Sequence, residues 1–367
     1  MQLESILRVV NVLLLFGVLL FITEPGIISS NFVLKSLFRL AALWTLTFNI
    51  IMLFIRHVVK NVTNSNLAKN ISLLMFAVFL VLVLLESAFM FIPQSHGVGY
   101  TYGGRIWFQY YWHTNSLGYR DDDVQSGNVA RKKVLIVGDS LTAGHGIKEP
   151  NDRFSGVLAK KVGNGYRVYN LGKGGADTTE EYDSLLQFPV SSDILILQYF
   201  GNDIEKAATR LGKRPHRFTP YEDLTPFSRL IICGSYFFNY LYWQFPHADI
   251  QPYFDSLISS YKDEKILTAH LGDLMKFVTY SRENNVPLLV VVFPFMLDQK
   301  SSMVFFEPVQ KFFRSHDIPV INVADIVSEL PMKERIVNVN DGHASPRVHS
   351  LTAEVIYREL RARNIIP

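Results

Sequence analysis

The chain is 367 residues long, enough for one sizeable domain and a further segment. A formal net charge of +3 supplies no basic field for nucleic acid, and a single cysteine, Cys233, excludes an intrachain disulfide and reads as a buried thiol. Hydrophobic residues make up 49% of the chain. Their excess lies before residue 95, a distribution that a single water-exposed domain would not have.

Three apolar stretches come first, at residues 6–22, 37–55 and 71–91. Each approaches the roughly 20 residues needed to cross a ~30 Å hydrocarbon core. Backbone groups in lipid must pair internally, so the stretches predict three N-terminal transmembrane helices in contact with the lipid bilayer. The leader MQLESILR carries one acid and one base, with no small-x-small cleavage site behind the first stretch, so that helix is expected to stay uncleaved. The loop at 56–70 holds Arg56, Lys60 and Lys69 and no acid, which marks it as cytoplasmic. Lys35 and Arg39 count the other way. The expectation is a multi-pass protein of the inner (cytoplasmic) membrane whose remaining residues face the periplasmic or extracytoplasmic side. Glu86 reads as an interfacial anchor near the outward end of the third span, and the sequons at Asn61 and Asn70 would be silent on the inner side.

Residues 93–131 are rich in Gly, Tyr and Trp and read as a lead-in between a membrane domain at 1–92 and a catalytic domain at 132–367. From 132 the pattern becomes strand and helix in alternation. VLIVG at 134–138, YRVYNLG at 166–172, DILILQYF at 193–200, PLLVVVFP at 287–294 and IPVINVAD at 318–325 read as buried strands, with helices at 153–162 and 350–363. Apolar strands separated by helices predict a parallel sheet covered on both faces, with ligands at the carboxyl ends of its strands. Residues 204–250 interrupt this pattern with the aromatic run SYFFNYLYWQF, read as an aromatic helix packed on the domain in preference to a lid, a substrate platform or a membrane-facing surface.

Chemistry-bearing residues follow the strands. Gly138-Asp139-Ser140 comes after the first, Asn170-Leu171-Gly172-Lys173-Gly174-Gly175 after the second and Gly201-Asn202-Asp203 after the third; Asp341-Gly342-His343 lies near the C-terminus. Acyl transfer needs these parts: a hydroxyl nucleophile, an imidazole to take its proton, a carboxylate to orient the imidazole, and amide donors for the oxyanion. The segment 172–175 fits neither a phosphate loop nor a dinucleotide fingerprint, His343 and His349 lack zinc-ligand spacing, and no G-x-S-x-G elbow occurs, so neither cofactor nor metal is expected.

GDSLTAGHG, NLGKGG, FGND and DGHASPRVH resemble, in order, the four motif blocks of the SGNH (GDSL-type) hydrolase superfamily, and NSLGYRD at 115–121 looks like the lead-in of many bacterial members. The likeness runs from about 132 to the C-terminus and implies a flavodoxin-like three-layer α/β/α fold. By position it implies Ser140 as nucleophile, His343 as base and Asp341 as its orienting carboxylate. The oxyanion hole would then use the N–H groups of Ser140 and Gly175 and the side chain of Asn202. Asp139 would shape the turn, His349 would pack, and His145 has no assigned partner. Many members space the pair as D-x-x-H, which would put Asn340 in the carboxylate's place; the D-x-H found here resembles the SGNH-like acetyltransferases of exopolysaccharides. The expectation is a serine esterase acting on an acylated carbohydrate or lipid of the cell envelope. The alternative is an O-acyltransferase working with a multi-span membrane acyltransferase, and a less favoured one is an inactive assembly factor.

Overall fold

The computed structural model describes residues 32–61, 66–95, 101–124, 131–216, 219–247 and 250–367. The chain divides into two compact units, one of Met1–Tyr110 with Tyr221–Phe245 and one of Tyr111–Pro220 with Pro246–Pro367.

The second unit is built on five strands: β1 (Lys132–Gly138), β2 (Tyr166–Gly172), β3 (Ile194–Tyr199), β4 (Leu288–Val292) and β5 (Val320–Asn322). All pair in parallel, in the order β2-β1-β3-β4-β5. Side chains alternate across the sheet. Leu135, Val137, Leu195, Leu197, Val290 and Val292 fill one face with residues of helices Gln251–Tyr261, Glu264–Glu283 and Met303–Arg314. Val134, Ile136, Ile194, Ile196, Leu289 and Val291 fill the other with helices Phe154–Val162 and Pro346–Ala362. Burying each such aliphatic side chain contributes about 1.5–3 kcal/mol, which is why runs apolar at nearly every position form the central strands.

The strand order is that of flavodoxin-like doubly wound sheets. The chain leaves β1 for β2 at the edge, then crosses back to β3 on the other side of β1. The carboxyl ends of β1 and β3, after which Ser140 and Asn202 stand, are therefore the switch point at which sheets of this order take ligands.

Two differences from the sequence reading concern this unit. The fifth strand is short because Asn322 caps a helix at Val323–Val327, accepting the N–H of Ala324 at 2.9 Å. The C-terminal motif lies on an unforeseen antiparallel pair, β6 (Ile336–Asn338) and β7 (Asp341–Ala344).

The other unit corrects the expectation of three transmembrane helices. The first stretch, at 6–22, lies outside the described residues. The second and third are helical, at Phe32–Asn61 and Asn66–Phe89, yet among the described residues no helix is long and apolar enough to cross a membrane. Arg56 and Lys60 fall in the last turns of the first of these helices and Lys69 in the first turn of the second, so most of the stretch read as a basic loop at 56–70 is helical. Glu86 is engaged by polypeptide: its carboxylate accepts the Ser235 hydroxyl at 2.6 Å and the N–H groups of Tyr236 and Phe237 at 2.8 and 3.1 Å. It thus caps the aromatic helix Tyr236–Tyr242, whose Phe237 and Tyr240 rings meet Phe89 edge-on at 5.2 and 4.5 Å.

Candidate active site

Ser140 opens a four-residue helix, Ser140–Ala143, directly after β1. Asp139 is its cap and accepts the Leu141 N–H at 2.8 Å. Gln198 of β3 stitches the turn to the sheet, its Oε1 accepting the N–H of Asp139 at 3.1 Å, the N–H of Thr142 at 3.2 Å and the Thr142 hydroxyl at 2.8 Å. The motif glycines are steric requirements. A Cβ on Gly138 would stand 2.3 Å from Thr142 Oγ1 and 2.4 Å from Gln198 Oε1. Its register partner Gly172 would meet the backbone nitrogen of Ala143 at 2.2 Å. Asn170 completes the cradle, donating to the Thr142 carbonyl at 2.6 Å and to the Ser155 hydroxyl at 2.7 Å.

The C-terminal hairpin brings the other two expected residues to Ser140. Side chains two apart on a strand project to one side, so Asp341 and His343 on β7 share a face. His343 Nε2 lies 2.8 Å from Ser140 Oγ, and His343 Nδ1 lies 2.5 Å from Asp341 Oδ1, which also accepts the His343 N–H at 3.1 Å. These contacts put the ring proton on Nδ1 and leave Nε2 to accept from the serine. Asn340 turns elsewhere: its Oδ1 accepts the N–H of His247 at 2.9 Å.

Electrostatics match this assignment. Burial alone would raise the Asp341 carboxyl, but the charges and hydrogen bonds of His343 and His145 outweigh it and hold it well below the usual carboxylate range. Burial pulls His343 down, and the Asp341 carboxylate, helped by Asp139, raises it above an ordinary imidazole. Behind the turn, burial pushes Asp139 up, opposed mainly by the Leu141 N–H and by His343. Glu181 and Asp203 are pushed well above their range by burial and by neighbouring carboxylates.

Gly175 and Asn202 stand on the loops after β2 and β3, the two strands flanking β1, so both border the Ser140 turn. Gly175 takes a left-handed φ of 75° and is exposed. Asn202 lies in the 3-10 turn Gly201–Ile204, half-buried, with its side chain against Asp139. His349 packs as expected: it is fully buried, accepts the Phe154 N–H at 3.1 Å, and stacks on that ring at 5.7 Å.

Two residues present in the sequence motifs have no role assigned to them by the sequence reading. His145 is buried, with Nδ1 3.2 Å from Asp341 Oδ2 and 3.1 Å from His343 Nδ1. Its only local signal is a flank of two glycines, Gly144 and Gly146, both at left-handed φ. Arg120 of the lead-in is buried and clamps the loop that carries His145. Its guanidinium donates to the carbonyls of Gly144 and Ile147 at 2.7 Å, Tyr111 at 2.8 Å, Lys148 at 2.9 Å and Ala143 at 3.3 Å. Burial, with Arg153 nearby, lowers its pKa to about 10.

Among the described residues, His145, Asp341 and His343 are the one group of three or more His, Cys, Asp or Glu side chains whose ligand atoms all lie within 4.8 Å of one another. A cation there would compete with the His343 Nδ1 proton that Asp341 accepts, so these atoms cannot hold a metal and orient His343 toward Ser140 at once.

No protein-family model matches the chain, and no curated protein matches it. Among solved structures it is similar to a lipase/acylhydrolase from Enterococcus faecalis at 14% identity and a TM-score of 0.39, covering 63% of this chain and 96% of that one. It is similar to a carbohydrate acetylesterase family member from Sinorhizobium meliloti at 14% identity and a TM-score of 0.37, covering 63% and 98%. An aryl esterase from M. smegmatis matches at 15% identity and a TM-score of 0.37, covering 63% and 99%. At such scores the functional reading rests on the geometry of the site itself.

Proposed function

We propose that the chain is a serine-dependent acylhydrolase working through an acyl-Ser140 intermediate. The observation that carries this reading is the unbroken relay from Ser140 Oγ to His343 Nε2 at 2.8 Å and from His343 Nδ1 to Asp341 at 2.5 Å. As Ser140 Oγ bonds the ester carbonyl carbon, its proton passes to His343 Nε2 and the carbonyl π pair moves onto oxygen. Asp341 stabilises the imidazolium without taking its proton. The N–H groups of Ser140 and Gly175 and the amide of Asn202 are the proposed oxyanion donors, each worth about 10²–10³ in rate. Collapse expels the alkoxide, which takes the proton from His343. Water then repeats the sequence and frees the acid.

The test is hydrolysis of p-nitrophenyl acetate by the full chain, with fluorophosphonate labelling of Ser140. Ser140→Ala is expected to abolish both; hydrolysis unchanged in that variant overturns the reading. The Asp341-x-His343 spacing favours one second fate, passage of the acyl group to a sugar hydroxyl. An added oligosaccharide that collects acyl groups faster than water does would select transfer.

A further inference from the structure

We infer that His145 is a positioning residue of this centre: its Nδ1–H holds the second carboxylate oxygen of Asp341, so that the carboxylate is fixed between two imidazoles and presents Oδ1 to His343. The inference rests on the serine-centred reading above and adds a fourth side chain to it.

Three observations carry it. The first is the division of Asp341 between partners. Oδ1 meets His343 Nδ1 at 2.5 Å and Oδ2 meets His145 Nδ1 at 3.2 Å. A bare nitrogen lone pair at that distance from a carboxylate oxygen would be repelled, so His145 Nδ1 carries a proton and donates it. The second is burial. Asp341 and His145 are each 3% exposed, so bulk solvent does not compete with His145 for Oδ2.

The third is the construction of the loop. His145 sits between two glycines at left-handed φ, 75° at Gly144 and 82° at Gly146. A Cβ on Gly144 would stand 2.4 Å from the Arg153 side chain. The His145 N–H donates to the Ser140 carbonyl at 2.9 Å, and Arg120 grips carbonyls on both sides of it. Nucleophile and second imidazole therefore move as one piece. The titratable and charged groups facing the pair include Asp341, Asp139, His145 and His349 around His343, and Asp341, His343 and Arg120 around His145.

Removing His145 leaves Asp341 free to turn and concentrates its charge on His343. Ser140-dependent turnover should fall in His145→Ala by about tenfold or more, the scale of one charge-assisted hydrogen bond lost beside the reacting groups. The acid limb of kcat/KM should move to higher pH, because Asp341 then draws the His343 proton alone. His145→Asn keeps a donor at the δ position and should recover most of the rate and the wild-type limb. The experiment measures kcat, the pH profile and the melting temperature for wild type, H145A and H145N. It adds an NMR titration of the His343 imidazole in each, with H343A to assign it. A limb that stays put in H145A, or a defect that H145N fails to repair, overturns the inference; so does a rate loss that follows only a lowered melting temperature. If wild-type activity proves independent of Ser140, the hydrolase reading fails by itself. The NMR titration then still decides, since an unshifted His343 in H145A overturns the positioning role.

Discussion

Asp341 and His343 stand two residues apart on β7, and the imidazole Nδ1 of the second lies 2.5 Å from the carboxylate of the first. The pleat of a strand turns residues i and i+2 to one side, so a D-x-H spacing joins the pair through local geometry. The neighbouring Asn340 points to the backbone of His247. Asp341→Asn should therefore lower kcat toward p-nitrophenyl acetate by about 10³–10⁴, since an amide cannot hold the same tautomer. Asn340→Ala should leave the pH profile where it is. The reverse order of effects would show that the carboxylate's role belongs to position 340.

The raised His343 and lowered Asp341 set a signed pH dependence. The base must be neutral to accept the serine proton, so kcat/KM should rise with pH through a limb centred above the ordinary imidazole value of about 6.5. Stability follows the linkage in both directions. The part owed to His343 is present below its unfolded value and lost as pH rises through the folded one. The part owed to Asp341 is present above its unfolded value and lost as pH falls through its depressed folded one. Urea midpoints taken across pH check the second statement, and a limb at or below the free imidazole value contradicts the first.

Gly172 tests how closely the second strand supports the nucleophile. A methyl there would meet the Ala143 nitrogen at 2.2 Å, and backbone cannot swing aside as a side chain can. Gly172→Ala should cost about 1–3 kcal/mol in denaturant unfolding and lower kcat by shifting the Ser140 helix. Gly165, with nothing within 4 Å of an added Cβ, is the matched control and should tolerate Ala.

The readable and unreadable parts of this chain differ in the range of their causes. VLIVG and DILILQYF announce buried strands because nearly every position is apolar, Asp193 and Gln198 being the exceptions, and the Ser, Gly and Asn blocks stand directly behind such strands. The hairpin that carries Asp341 and His343 is different. NVNDGHA is full of residues depleted from strands, and it pairs because Ile336 and Ala344 face one another across it. His145 and His343 are separated by 198 residues, and Glu86 and Ser235 by 149, so no local pattern announces either contact. Hydropathy and length gave helices at 37–55 and 71–91 but not what the helices meet: Glu86 reads as an anchor until its partners come into view.

Arg120 supplies the last test. One planar guanidinium satisfies five backbone carbonyls, those of Tyr111, Ala143, Gly144, Ile147 and Lys148. An ammonium carries three donors and no fork, so Arg120→Lys keeps the charge yet leaves buried carbonyls unpaired. Each orphaned group costs about 1–3 kcal/mol, so this nominally conservative change should lower the unfolding midpoint strongly. Because the clamped loop runs from the Ser140 helix through His145, kcat should fall while the domain is still folded, at denaturant concentrations well below the midpoint. A variant with lowered stability but unaltered kcat would separate the clamp from catalysis and leave Arg120 a purely structural brace.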